Sequence, residues 1–295
     1  MKANIRLNIW LWVLLCVPCL LASCDHDVHN EEGGLAISLS WADPADQGTA
    51  VKDVKLWIFN AADGSLVEEK QYSSAEAVAS QRFHLAKGSY HILATTNLTE
   101  PFFISEATRA LGSWDHALIG LSSYENVKAN AYYGVANVTI DNEEAFYVVQ
   151  NPLKNVLSEL TIVIEGVPQG TEMNGKVLDG AEGLFPTLKN GEGVYGLPST
   201  NLREVALQSV LATTSTLQSD VIRLMPTVTG SASSHIYLNL LLANGTLQEF
   251  DITAPAMKAG GKYELRLEYD QMQPKMNLDA TINNWKDLNN EVEIK

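Results

Sequence analysis

Val54-Lys55-Leu56-Trp57-Ile58-Phe59-Asn60-Ala61-Ala62-Asp63-Gly64-Ser65-Leu66-Val67 is the stretch that decides the fold. An apolar run rich in β-branched and aromatic residues leads into a polar turn ending in Asp-Gly, and a second alternating run follows. This predicts two antiparallel strands in a hairpin, because Gly enters the positive φ of such a turn without steric cost. Upstream, Leu35-Ala36-Ile37-Ser38-Leu39-Ser40-Trp41 alternates large apolar with small residues. A strand places alternate side chains on opposite faces, so this run has one face to bury.

The same grammar continues downstream. Strands are expected over residues 81–85, 89–96, 131–140 and 144–150, with Lys87-Gly88 as the turn into the second of these. Residues 101–126 read as a long connection, with a short helix over 104–111 and a second segment over 114–121. Pro152 is taken as a boundary. Residues 157–165 form a further strand, and 171–200 are rich in Gly and turn residues. Strands resume over 204–210, 219–225, 234–242, 247–252 and 262–269, with Asn244-Gly245 marking a second tight hairpin. Many short strands and few helices imply an all-β sandwich or barrel. The halves also echo each other: residues 83–93 and 257–267 each hold a Gly turn, then Tyr, then alternating apolar residues. Two similar β-sandwich domains are expected, over residues 35–151 and 152–295.

The first residues read as a processing signal. Lys2 and Arg6 precede an uncharged apolar stretch over 9–21, shorter than the roughly 20 residues that span a bilayer. Leu21-Ala22-Ser23-Cys24 then resembles a lipobox, which implies removal of residues 1–23 and lipid attachment at Cys24. Of the three cysteines, Cys16 and Cys19 leave with the leader, so Cys24 has no disulfide partner. Several acyl chains on one cysteine anchor stably, since each buried CH₂ contributes about 0.8 kcal/mol. Residues 24–34 are acidic and end in Gly33-Gly34, and read as a flexible tether rather than a metal site at His26 and His29.

Removing the leader takes two of the 20 basic residues and none of the 35 acidic ones, which leaves a formal charge of −17. That balance excludes a nucleic-acid partner, whose phosphates require basic patches. No histidine pair at i, i+2 or i+4 on a predicted rigid element, Gly-rich phosphate loop, nucleophile elbow or His-Glu-x-x-His motif occurs. Glu68-Glu69 and Glu143-Glu144 are adjacent along strands and so diverge, unlike a carboxylate pair held about 5–10 Å apart for glycoside hydrolysis. Neither an enzyme nor a cofactor or metal site is expected. Among the aromatics, Trp41 and Trp57 read as core, and Trp114, in the long connection, is the candidate glycan-stacking platform.

The run over 51–67, Leu85-Ala86-Lys87-Gly88-Ser89-Tyr90-His91-Ile92-Leu93-Ala94, the second Gly-Lys-Tyr strand and the closing Ile282-Asn283-Asn284-Trp285 resemble, in order and spacing, fimbrillin-type proteins of Bacteroides and Porphyromonas. Within that group the chain is most similar to the fimbrial anchor and accessory type. The resemblance implies two tandem transthyretin-like, Greek-key β-sandwiches in a surface lipoprotein of the outer membrane. It implies a part in fimbria assembly and cell adhesion, with other fimbrial subunits as partners through strand addition. Stalk subunits of the group are freed from lipid by a cut after an early arginine. Here the first arginine after Cys24 is Arg82, within an expected strand, which favours a lipid-retaining anchor. The alternatives are a non-catalytic glycan-binding lipoprotein, or a stalk or tip subunit.

Overall fold

The computed structural model describes residues 33–104, 112–124, 127–186, 196–227, 234–272, 277–279, 285–287 and 292–293. The leader, the lipobox, Cys24, nearly all of the tether and all but the first residue of the helix expected over 104–111 lie outside them. The first half contributes β1 (Gly34–Trp41), β2 (Lys52–Asn60), β3 (Leu66–Ser74), the short helix α1 (Ala75–Ala79), β4 (Gly88–Thr96), β5 (Phe102–Ile104), β6 (Ile119–Leu121), β7 (Tyr132–Ile140) and β8 (Phe146–Asn155). The second half begins with β9 (Ser158–Glu165), β10 (Glu172–Ala181), β11 (Gly183–Phe185), β12 (Leu197–Pro198), β13 (Leu202–Leu211), β14 (Thr216–Gln218) and β15 (Ile222–Leu224). It continues with β16 (Ser234–Leu241), β17 (Leu247–Ala254), β18 (Lys262–Glu268), β19 (Asn277–Asp279), β20 (Trp285–Asp287) and β21 (Val292–Glu293).

The hairpin forms as its sequence predicts. β2 and β3 pair antiparallel, and Gly64 takes φ +71° in the turn between them. β2 is an interior strand in the order β1-β8-β7-β4-β2-β3, and over Leu56–Phe59 it is buried on both faces. Val54, Leu56 and Ile58 face a core with Leu35, Ile37, Ile92 and Tyr132. Trp57 and Phe59 face the other way, against Leu93, Trp114 and Ala117. Period-two alternation therefore serves two cores here, which explains why the run is almost wholly apolar. β1 closes the arrangement by running parallel to β8, from Gly34 opposite Phe146 to Trp41 opposite Leu153.

Residues 81–85 do not form the expected strand. The Ser74 side chain accepts a hydrogen bond from the Ala77 amide and caps α1, whose Val78 is fully buried. Phe83 then exchanges two backbone hydrogen bonds with Leu35, at 2.9 and 3.0 Å, and the pairing goes no further. Pro152 is no strand boundary either, because β8 runs through it to Asn155. Its missing N–H is tolerated because β7 pairs with β8 only at Tyr132 and Tyr133, beyond the proline. Gly134 of β7 instead lies against the fully buried Asn151, and a Cβ there would stand 2.1 Å from the Asn151 Oδ1 atom.

In the second half, β13-β10-β16-β17-β19 faces a sheet of order β14-β9-β18-β20-β21, with β15 also on β9. Between them lies a core that includes Leu160, Ile162, Met173, Ile236, Phe250, Ile252 and Leu265. Each such side chain stabilises the fold by about 1.5–3 kcal/mol relative to exposure. The Gly-rich region after residue 171 holds β10, a ten-residue interior strand between β13 and β16. Of the expected strand over 219–225 only β15 forms; β14 lies just ahead of it, and between the two the Ser219 hydroxyl accepts the Ile162 amide hydrogen at 2.9 Å.

The halves repeat one topology. The principal strands in order are β1, β2, β3, β4, β7, β8 in the first half and β9, β10, β13, β16, β17, β18 in the second. In each, the third, second, fourth and fifth are neighbours in that order, and the sixth runs parallel beside the first. The sequence echo, however, pairs β4 with β18, a fourth strand with a sixth. Its cause is local. Tyr90 donates its hydroxyl hydrogen to the Ala86 carbonyl at 2.8 Å, and the Tyr263 hydroxyl accepts from the Lys258 amide at 2.9 Å. Each tyrosine reaches back across its Gly turn and fixes the entry to a strand, as in a tyrosine corner.

A four-stranded sheet, β12-β11-β6-β5, joins the halves, since β11 of the second pairs with β6 of the first. Phe102, Ile119, Val156, Leu157, Leu184 and Met225 bury a third apolar cluster there. The connection between β8 and β9 passes through this cluster, so the two sandwiches share a packed junction rather than a linker.

Candidate docking edges

Trp114 is not the stacking platform expected of it. It sits in a 3-10 turn, Trp114–His116, with only 4 % of its surface exposed. One of its faces is stacked on the His91 ring at 4.5 Å with an interplanar angle of 17°, and Phe59 meets it edge-on at 5.5 Å. A sugar would need that face free. The packing has a local origin: the Trp114 amide donates to the Gly64 carbonyl at 2.9 Å, which ties the long connection to the β2–β3 turn. Trp57 is core, as read, and Trp41 is half-buried with its ring against Tyr132.

Two of the histidines and two of the buried tyrosines are tied into the structure. His91 Nδ1 lies 2.7 Å from Asn137 Oδ1, and His235 Nδ1 lies 3.1 Å from Asp179 Oδ2. Among the described residues no group of three His, Cys, Asp or Glu side chains could hold a metal ion. Burial pushes the Tyr124 hydroxyl up to about 12, and that hydroxyl donates to the Glu182 and Ala181 carbonyls. The Tyr133 hydroxyl is pushed higher still, also by burial.

Two concavities stand out. One, of about 350 Å³, lies at the junction of the halves between Asp43, Asp46, Lys154, Glu159 and Lys262. Lys262 Nζ reaches Asp43 Oδ2 across it at 3.2 Å. Burial, and then the charge of Lys258, lowers the Lys154 ammonium from its ordinary value. The other, of about 340 Å³, opens beside β13, where Leu207 and Gln208 face Ser219, Asp220, Val221 and Ile222 across a gap.

The sheets also end differently. β3 is one edge of the six-stranded sheet of the first half, and this edge is guarded. Ser65 forms a bridge with Ser113, Glu68, Glu69 and Lys70 place charge along it, and α1 packs against both β3 and β1 at its far end. Charge and covering elements are the ordinary protections of an edge. β13 ends one sheet of the second half, with Arg203 and Glu204 near its start, and among the described residues nothing pairs with its outward side. No sequence signal singled out this strand, because edge position is set by topology rather than by local pattern.

The sequence matches the family model described as fimbrillin-A associated anchor proteins Mfa1 and Mfa2 over residues 22–291. The chain belongs to this family. Its members are non-catalytic structural proteins of fimbriae. The fold is similar to that of the fimbrial anchor protein Mfa2 from Porphyromonas gingivalis, with a TM-score of 0.56 and 13 % identity, covering 80 % of this chain and 90 % of that one. It is also similar to a cell adhesion protein from Parabacteroides distasonis, with a TM-score of 0.52 and 12 % identity over 83 % and 91 % of the two chains. An adhesin of Bacteroides thetaiotaomicron gives a TM-score of 0.51 and 12 % identity over 80 % and 92 %. No curated protein matches the sequence.

Proposed function

We propose that this chain is the lipid-held anchor or accessory subunit of a fimbria, seated on the exterior of the outer membrane and joined to its neighbour by strand addition. The observation that carries the reading is the family match, which spans all but the ends of the chain and includes Cys24. Residues 1–23 are the leader, Leu21-Ala22-Ser23 the recognition sequence and Cys24 the acylated residue. The two sandwiches, divided near residues 151–155, are tandem transthyretin-like domains that hold the partner.

The position of Arg82 supports retention of the lipid. It lies in an exposed turn after α1, not in a strand, and its guanidinium sits 4.8 Å from the centre of the Phe146 ring. A cut there would sever β1, β2 and β3 together from the rest of the chain. Release of the first strand alone is therefore not open to an arginine-specific protease. The glycan-binding alternative has lost its platform, since Trp114 is buried.

Mass spectrometry of the protein taken from the cell surface tests the proposal. A diacyl- or triacyl-cysteine at residue 24 is expected, and Cys24→Ala should release both the protein and its fimbriae into the medium. A mature N-terminus well downstream of Cys24 would instead make the chain a stalk or tip subunit.

A further inference from the structure

Most polar groups around the concavity at the junction of the halves have partners within the chain. Asp43 is taken by Lys262 and by the Ala45 amide, and Glu159 by the Arg223 guanidinium at 3.1 Å. The Asn155 carboxamide oxygen accepts the Leu157 amide hydrogen at 3.0 Å. Three groups that line the same space keep unused capacity. Lys154 has no carboxylate partner among the described residues, and the charge that bears on its ammonium is that of Lys258, which repels it. The Asp46 carboxylate accepts from the neutral Tyr132 hydroxyl at 3.2 Å and has no cationic partner among the described residues. The Asn130 carboxamide oxygen is buried and accepts no hydrogen bond.

These three belong to the first half: Asp46 to the 3-10 turn after β1, Asn130 to the approach to β7, and Lys154 to β8. The second half closes the space with the Gly260–Gly261 turn before β18. A Cβ at Gly260 would stand 3.2 Å from Cγ and Cε of Lys154, so the bare turn gives the lysine stem its place. Charges of opposite sign that line one partly enclosed space without pairing are costly, and so is a buried acceptor without a donor. An occupant that answers all three has an anionic group for Lys154, a cationic group for Asp46 and an N–H for Asn130. A plain anion would meet Lys154 but lie among the carboxylates of Asp43, Asp46 and Glu159. A plain cation would leave Lys154 unmatched.

We propose that this concavity binds a free α-amino acid with an uncharged side chain, its carboxylate on Lys154 and its ammonium shared by Asp46 and Asn130. Such a zwitterion carries both charges within one small molecule, and its ammonium has three hydrogens to donate. The space of about 350 Å³ lies at the small end of ligand sites, which run from about 300 to 1,000 Å³. Ala42, Pro44, Ala45 and Leu157 supply the apolar part of the wall, against which a short aliphatic side chain packs. The carboxylate offsets the repulsion between Lys154 and Lys258. The site stands apart from lipid attachment and from strand addition, and its occupant touches both sandwiches.

Isothermal titration calorimetry of the full chain with each uncharged common amino acid tests this. Saturable binding of at least one is expected, with a rise in melting temperature, because a ligand bound only by the folded state stabilises it. The N-acetyl derivative and the carboxamide of that amino acid each lack one of its charges. Each should bind about ten-fold more weakly or worse, the loss of one charge-assisted contact, and neither control depends on the folding of a variant. Lys154→Gln and Asp46→Asn should weaken binding to the same degree. Lys176→Gln on β10, whose ammonium pairs with Glu204, should leave it unchanged. No saturable binding of any amino acid, equal binding of the blocked derivatives, or undiminished binding by Lys154→Gln and Asp46→Asn would overturn the inference. So would heats seen only with glucuronate or inorganic phosphate, which would make the space an anion site.

Discussion

Asp43, which caps the 3-10 turn just after β1, and Lys262, the first residue of β18, meet at 3.2 Å across the junction of the two sandwiches. Both are about one-third exposed. The Asp43 carboxyl lies below the ordinary carboxylate range, first because it accepts the Ala45 amide and then, against some desolvation, because of Lys262. Asp43→Ala should therefore cost more than Lys262→Ala: about 1 kcal/mol against half of that, since exposed pairs contribute about 0.2–1 kcal/mol. A group whose folded pKa is depressed contributes stability above its unfolded value, about 3.9, and loses that contribution as pH falls through the folded value. Urea unfolding should show the Asp43→Ala deficit at pH 6 and a smaller one below pH 3. An equal deficit at both would refute the ionic account.

Gly134 is required for close approach rather than for conformation. A Cβ there would meet Asn151 Oδ1 at 2.1 Å and the Pro152 carbonyl oxygen at 2.8 Å. Gly134→Ala is expected to destabilise by about 1–3 kcal/mol, the range for overpacking. Differential scanning calorimetry would check it, and a melting temperature within a degree of the parent would count against the contact.

Tyr90→Phe and Tyr263→Phe each delete one hydroxyl that fixes a strand entry. Each should cost about 0.5–1.5 kcal/mol, the usual value for one hydrogen bond. The double variant should be additive, because the two corners lie in different sandwiches. Chemical denaturation of the three variants decides this, and strong coupling would mean that the corners communicate through the junction.

Trp114→Ala should behave as a core truncation. Loss of a buried tryptophan costs about 3–5 kcal/mol, so the near-ultraviolet circular dichroism and the melting temperature should both change. A variant that melts like the parent yet loses polysaccharide retention in affinity electrophoresis would restore the platform role.

The strands legible in the sequence were those with strong alternation and Gly-marked turns: β2–β3 around Gly64 and β16–β17 around Gly245, which takes φ +84°. What misled was composition and local punctuation. β10 contains Gly175 and Gly180 within a buried strand and reads as loop, because its backbone approaches Tyr237 and Arg203 closely there. Pro152 reads as a break, yet its missing donor falls where β8 has released β7. The recurrence of Gly-x-Tyr is a local strand-entry device, whereas the repeat of topology is carried by pairings between residues far apart in sequence. Trp114 looked exposed because its segment is irregular, and only its partners His91 and Phe59 show otherwise. The β13 edge had no sequence signature at all.

The parallel pairing of β1 with β8 has a mechanical consequence. Their eight paired positions run from Gly34 opposite Phe146 to Trp41 opposite Leu153. A pull on the chain ahead of Gly34, resisted by the second half beyond Asn155, draws the two strands past one another along their length. All the inter-strand hydrogen bonds are then loaded together in shear. A hairpin pulled at its open end unzips one bond at a time; this geometry does not. The first strand of the fold is thus placed where such a pull is resisted by many bonds at once.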